Sequence, residues 1–393
     1  MPADRDFDIV LFGATGFTGE LTAAYLAEHA PPGCRWALAG RSATKLEEVR
    51  SRLATINSEC ADLPLLHADA GDPASLQAVA ESTRVVITTV GPYLLYGEPL
   101  VAACAEAGTD YVDLTGEPEF VDRMYLDHHD RAVQTGARIV HACGFDSIPH
   151  DLGAYYTVKQ LPSGQPIRLR GVVRSNATFS GGTFHSAMTA FSRARQMKDA
   201  MTARRKKEPR PEGRRSRAVA GKPGRDKVLG YWLLPLPTID PFVVARSGAA
   251  LPAYGPDFRY SHFAGLKTLR YTVGGALGAA SMGVAAQVPP VRKALMSRIK
   301  PGDGPSEERR AKSRFSVDFV GEAGGRTLHT RVSGGDPGYT ETAKMLAESA
   351  LCLAFDDNPA TAGQVTTAQA MGDHLLERLQ KAGIKFETLP TGA

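Results

Sequence analysis

Three glycines at intervals of three, Gly13, Gly16 and Gly19, are the residues of this 393-residue chain with the plainest chemical use. They stand in Gly13-Ala14-Thr15-Gly16-Phe17-Thr18-Gly19, between the apolar run Phe7–Phe12 and the helical pattern Phe17–His29. A strand, a glycine turn and a helix start in that order let backbone N–H groups approach a pyrophosphate, and the helix dipole favours the anion. Gly13, Ala14, Thr15, Gly16, Phe17 and Thr18 are therefore the predicted dinucleotide loop. The next apolar run ends in Ala39-Gly40-Arg41-Ser42, where NAD-specific sites usually place an acid on the ribose 2′-hydroxyl. Arg41 fits a 2′-phosphate instead, because a guanidinium can fork onto phosphate and stack on adenine. Ser42 and Lys45 add a hydrogen bond and a charge. The expected cofactor is NADP(H).

Further candidates stand where strands are predicted to end, the edge at which open α/β sheets bind ligands. Asp69 follows the third strand and reads equally as an adenine-side contact or as a helix cap. Gly91 and Pro92 follow the fourth, and Gly91 would let the backbone approach the nicotinamide ribose. Tyr93 either faces the nicotinamide or packs on its loop. Gly144-Phe145-Asp146-Ser147-Ile148-Pro149-His150 closes the sixth strand. Asp146 there orients the carboxamide or caps the helix that Pro149 begins, and Ser147 caps it or touches the cofactor. His150 is the titratable group best suited to proton transfer. Tyr93, Asp146 and His150 are the candidate catalytic residues. Ser180-Gly181-Gly182-Thr183 reads as a backbone anion cradle or a helix cap, and Tyr339 as a side chain that closes the cleft. No metal-ligand motif is present, so no metal is expected.

Holding these residues together requires alternating strands and helices. The pattern predicts strands at Phe7–Phe12, Arg35–Ala39, Pro64–Ala68, Arg84–Val90, Tyr111–Leu114 and Arg138–Cys143, with helical patterns between them. That alternation predicts a Rossmann-type, doubly wound parallel sheet over residues 1–151. Beyond it, Ile167–Ala177 alternates as an antiparallel strand does, and Arg314–Gly321 with Arg326–Ser333 flanks Gly324-Gly325 as a hairpin. Residues 152–335 are expected to form a second, α+β domain for substrate binding and dimerisation. Residues 336–393 are expected to be helices that pack back near the first domain.

The charge is uneven. Arg204–Lys227 holds eleven Lys/Arg and three acids, against a net charge of +4 for the whole chain. The expectation for this stretch is a solvated, mobile loop, with contact to anionic lipid or an acidic partner as the second reading. One basic segment without a folded basic face gives no ground for nucleic acid. Thr272–Val291 carries no charge and is rich in Gly and Ala. It reads first as a buried or substrate-facing helix, then as a membrane-surface contact, and last as a span. Five scattered cysteines and an N-terminus without an apolar signal fit reduced thiols in a cytoplasmic protein, with peripheral contact at the inner face of the plasma membrane as a further reading.

The motifs GATGFTG, AGR, GPYLLYGEPLV, YVDLTGE, HACGFDSIPHDLG, SGGT and GGDPGYTETAKMLAESAL together resemble the saccharopine-dehydrogenase-like oxidoreductases. Within them the chain looks like the actinobacterial branch of trans-acting enoyl reductases. The resemblance implies an NADP-linked Rossmann domain with an inserted α+β domain. It also implies reduction of an enoyl double bond in a hydrophobic acyl or polyketide intermediate, with a carrier protein or coenzyme A as the carrier. Two other readings stand beside it: a saccharopine-type amino-acid or imine dehydrogenase, and an NADP-bound, lipid-associated scaffold without turnover. A homodimer is the expected assembly.

Overall fold

A computed structural model describes residues 5–177, 181–298 and 305–391. Six strands alternate with helices at the start: β1 (Phe7–Phe12), β2 (Trp36–Gly40), β3 (Leu65–His67), β4 (Thr83–Thr88), β5 (Asp110–Val112) and β6 (Arg138–Val140). Seven follow in the middle of the chain: β7 (Ile167–Ser175), β8 (Arg215–Ala218), β9 (Gly224–Arg225), β10 (Trp232–Pro235), β11 (Asp257–Leu266), β12 (Phe315–Ala323) and β13 (Arg326–Gly334). The tail adds β14 (Gly363–Val365) and β15 (Lys385–Leu389).

The first sheet has the order β14-β6-β5-β4-β1-β2-β3, all parallel. Successive residues of β1 point to opposite faces. Ile9 and Leu11 pack under the helices Phe17–His29 and Ala43–Ile56, while Val10 and Phe12 pack against Pro73–Ser82 and Glu98–Ala107. Both faces are therefore dry, which is why these strands read as continuous apolar runs. Helix ends follow local chemistry. Asp72 Oδ1 accepts the Ala74 N–H at 3.1 Å, with Pro73 in the first turn, and Gly108 and Gly136 end helices in the left-handed region.

The second sheet is mixed, ordered β15-β13-β12-β7-β11-β10-β9, with β8 also against β11. Among the described residues only β7–β11 and β8–β11 are parallel pairs in it. Helix Ile148–Val158 leaves the end of β6 and lies across β12 and β13. Gly153 is needed there, since an added Cβ would lie 2.3 Å from the Phe319 ring. One apolar cluster runs from Leu11 and Leu38 through Leu152 to Phe258 and Phe319, so the two sheets share a core.

Residues 336–393 do more than pack back as helices. The helix Thr340–Phe355 covers one face of the first sheet, β14 extends that sheet beside β6, and β15 extends the second beside β13. Two expectations fail. The basic stretch is not a mobile loop: it ends a helix, forms β8 and β9, and buries Arg204. The Arg204 guanidinium stacks 4.1 Å over Tyr125 and donates to Gln364 Oε1 at 2.6 Å, while Arg214 donates to the carbonyls of Gly248 and Leu251. The uncharged run is not a buried helix either. It forms Leu269–Gln287, whose large apolar side chains face outward, Leu277 at 65% and Val284 at 68% exposure. Lack of charge marked an apolar surface, not an interior.

Candidate active site

The strand order reverses between β1 and β4, and the loops that follow these two strands flank the crevice where dinucleotides bind in such sheets. Gly13 has φ +92° and its N–H donates to Ala39 O at 3.1 Å. A Cβ there would lie 2.7 Å from Thr89 Oγ1 and 2.8 Å from Val90 Cγ2, so only glycine lets the two loops meet. Gly19 is as constrained, for its Cβ would lie 2.1 Å from the Gly13 carbonyl oxygen. Ala14 is buried and fixes the turn from within, while Thr15, Gly16, Phe17 and Thr18 reach the surface. Gly16 caps the helix without a side chain, which leaves first-turn amides for an anion. Phe17 meets Tyr339 edge to face at 4.8 Å, so the turn before helix Thr340–Phe355 closes over this loop. Asp336 builds that turn by accepting the Tyr339 and Thr340 amides.

At the far end of the crevice Arg41 is exposed beyond β2, and Lys45 lies one turn on. Among the described residues neither cationic head has an intramolecular hydrogen bond or ion pair, so both remain available to a phosphate. Ser42 caps the helix, its hydroxyl accepting the Lys45 N–H at 3.4 Å. Asp69 folds onto its own loop, Oδ1 accepting the Gly71 N–H at 2.9 Å, while Asp72 provides the helix cap. Gly91 is exposed after β4, and Pro92 begins the short helix Tyr93–Tyr96. The Gly91–Pro92 and Asp146–Ser147 peptides are cis.

The three catalytic candidates part company. Tyr93 is buried, its hydroxyl donating to Thr88 O and accepting from Leu114 N–H, both at 3.1 Å. Burial and the charge of Asp113 push its pKa well up. It ties the β4 loop to the β5 loop and presents no hydroxyl to the cleft. His150 is also a correction: it is 1% exposed and lies behind Phe145, its ring 5.4 Å from the Phe145 ring. Ser147 is likewise buried, and its hydroxyl does not cap the helix. Asp146 alone keeps surface at the cleft. Its Oδ2 leans on Gly116, where an added Cβ would lie 3.3 Å away, and it does not cap the helix. Burial and the nearby charge of Asp240 push its carboxyl up to about 7.

Two residues that the sequence reading missed stand behind Asp146. Asp240 opens helix Asp240–Ala250, and His262 lies in β11. Asp240 Oδ1 is 3.1 Å from His150 Nδ1, and its Oδ2 is 3.6 Å from His262 Nε2. Burial would raise the Asp240 pKa, but the charge of His150 overrides it and the carboxyl is held low. Burial would lower that of His150, but Asp240 overrides it and the shift is upward, whereas burial pushes His262 down to about 3. Only the fold brings these residues together, and no spacing in the chain announces them. Ser180 lies outside the described residues, and the helix Gly181–Ser192 starts directly after it.

Residues 9–140 match the saccharopine dehydrogenase NADP-binding domain family. A putative trans-acting enoyl reductase of Mycobacterium tuberculosis is 41% identical, with 98% of each chain covered. A trans-acting enoyl reductase of Mycobacterium bovis is 38% identical, covering 98% of this chain and 99% of the relative. The fold is similar to that of apo saccharopine dehydrogenase (L-Glu forming) from Saccharomyces cerevisiae, with a TM-score of 0.58 at 11% identity over 98% of this chain and 100% of that one. The glycine loop at the switch point, the free cations beyond β2 and the full-length likeness agree: the chain belongs to the trans-acting enoyl reductase family and is an NADP(H)-dependent oxidoreductase.

Proposed function

We propose that the protein reduces the α,β double bond of an enoyl thioester borne on a long acyl or polyketide chain, with NADPH as hydride donor. The full-length likeness to relatives named trans-acting enoyl reductases carries this reading. Hydride passes to the β-carbon, negative charge gathers on the thioester oxygen, and the α-carbon takes a proton. The cofactor supplies the hydride, and the protein supplies position and electrostatics. Asp146 is the polar side chain at the cleft rim assigned to orient the nicotinamide carboxamide. The test is NADPH oxidation against enoyl thioesters of rising chain length, with an imine substrate as comparison. Oxidation that rises with chain length supports the reading. Tight NADPH binding with turnover only of the imine, or with none, refutes it in favour of the dehydrogenase or the scaffold.

We further propose that helix Leu269–Gln287 and the helix after it rest on an anionic lipid surface. Among the described residues no helix is long and apolar enough to cross a membrane. Leu269, Tyr271, Val273, Leu277 and Val284 are nevertheless exposed on one hairpin of helices. No Asp or Glu occurs from Phe258 to Pro301, while Lys267, Arg270, Arg292 and Lys293 flank the apolar side chains. That combination suits an interfacial contact. Flotation with phosphatidylglycerol vesicles tests it, using Leu277→Glu with Val284→Glu. Loss of flotation in the variant supports the contact. A wild type that pellets away from vesicles, or sediments as a dimer dispersed by the same substitutions, assigns the face to a second copy instead.

A further inference from the structure

Within this one chain, histidine–aspartate pairs are built in two ways. His141 Nδ1 lies 2.7 Å from Asp113 Oδ2, and His329 Nε2 lies 2.8 Å from Asp318 Oδ1; both are hydrogen bonds. The third group, His150, Asp240 and His262, is looser. Its closest approaches are 3.1 Å and 3.6 Å; among the described residues His150 Nε2 has no hydrogen-bond partner, and His150 Nδ1 and Asp240 Oδ1 meet only each other, as an ion pair. Buried polar atoms without partners call for a reason, and an ion is one. All three side chains are at least 96% buried, with exposures of 1%, 1% and 4%.

The 3.6 Å approach is too long for a hydrogen bond, and both approaches, which run to different oxygens of Asp240, lie near the spacing of metal ligands. Zinc bonds to imidazole nitrogen and carboxylate oxygen at about 2.0–2.2 Å, which sets tetrahedral ligand atoms about 3.3 Å apart. One donor atom from each of the three residues falls within 4.8 Å of the other two. The outer contacts are those a metal site needs. Tyr260 Oη lies 3.0 Å from His262 Nδ1, so with the proton on Nδ1 the Nε2 lone pair turns toward Asp240. Thr238 Oγ1 donates to Asp240 Oδ2 at 2.5 Å and fixes the carboxylate. Two imidazoles and one carboxylate are a donor set that zinc takes, as do iron, nickel and copper.

We propose that His150, Asp240 and His262 form a zinc site at the junction of the two domains. The ligands come from three elements: the helix that leaves β6, the helix Asp240–Ala250, and β11. The ion would staple the crossover into the second domain and place a fixed positive charge behind the cleft. This assignment does not depend on the substrate proposed above.

The test is metal content of the full-length protein by mass spectrometry after incubation with zinc and exhaustive dialysis, repeated with cobalt, whose visible d–d bands report tetrahedral coordination. One equivalent per chain is expected, lost in Asp240→Asn and in His262→Gln. Tyr260→Phe keeps all three ligands and removes only the outer contact, so zinc affinity should fall about 10–100-fold. NADPH binding checks that each variant is folded, and Tyr260→Phe decides the matter if the ligand variants are not. A wild type that retains neither metal, or variants that retain as much as the wild type, overturns the site.

Discussion

Replacing Arg41 by alanine should separate the two nicotinamide cofactors. The guanidinium is exposed beyond β2 and has no intramolecular partner among the described residues, so its removal breaks no internal contact. Surface changes of that kind stay within about 0.5 kcal/mol in stability, and the melting temperature should hold. The loss falls on the 2′-phosphate. A charge-assisted hydrogen bond contributes about 1.5–3 kcal/mol, and screening at this open site favours the lower end. NADPH should therefore bind roughly 10–30-fold more weakly, at 1.4 kcal/mol per factor of ten. Lys45, one turn on, keeps part of the attraction. NADH has no 2′-phosphate and should change less than about twofold, apart from any adenine stacking. Arg41→Asp should cost NADPH more, because repulsion replaces attraction. Fluorescence titration of both cofactors gives the answer. Equal weakening of NADPH and NADH, or no change in either, would refute the placement of the 2′-phosphate beside β2.

Three further outcomes follow from the structure. Gly19→Ala puts a Cβ 2.1 Å from the Gly13 carbonyl, and displacing the loop should cost about 1–3 kcal/mol in stability with at least a tenfold weaker NADPH titration. Tyr93→Phe leaves the half-buried Leu114 N–H without its partner and should lower unfolding free energy by about 1 kcal/mol, while the pH–rate profile keeps its shape; a displaced profile would return Tyr93 to proton transfer. Burial, then the charge of Asp8, pushes the Cys34 thiol up to about 12 from an ordinary 9.0, with Arg35 opposing. Its thiolate fraction at pH 8 falls roughly 1000-fold, so iodoacetamide should label Cys34 about that much more slowly in native than in unfolded protein.

The placement of the candidate cofactor loop was legible because its signals are local. The glycine loop, Arg41 and Ser42 each stand within a few residues of a strand end, and strands buried on both faces announce themselves as apolar runs. The acid–base half was not legible. A tyrosine at a strand end has the right chemistry, but the β5 loop, distant in sequence, decides that the Tyr93 hydroxyl is consumed by Thr88 and Leu114. His150 looked like a titratable group at the cleft because nothing local shows that Phe145 and β11 close over it. Asp240 and His262 lie far along the chain from His150, so no local pattern joins them. The uncharged helix was misread for a different reason: composition reports affinity for an apolar phase, and cannot say whether that phase lies inside the protein.

The return of the tail to both sheets governs the order of assembly. Until Gly363–Val365 is in place, β6 is an open edge, and until Thr340–Phe355 docks, one greasy face of the first sheet meets water. Unpaired edges and bare apolar faces are where chains aggregate. A fragment ending at residue 151 would carry the whole glycine loop and still be a poor folding unit. On the ribosome the nucleotide-binding half must wait for Thr340–Phe355 and Gly363–Val365 to emerge, so its maturation is not set by its own earlier emergence.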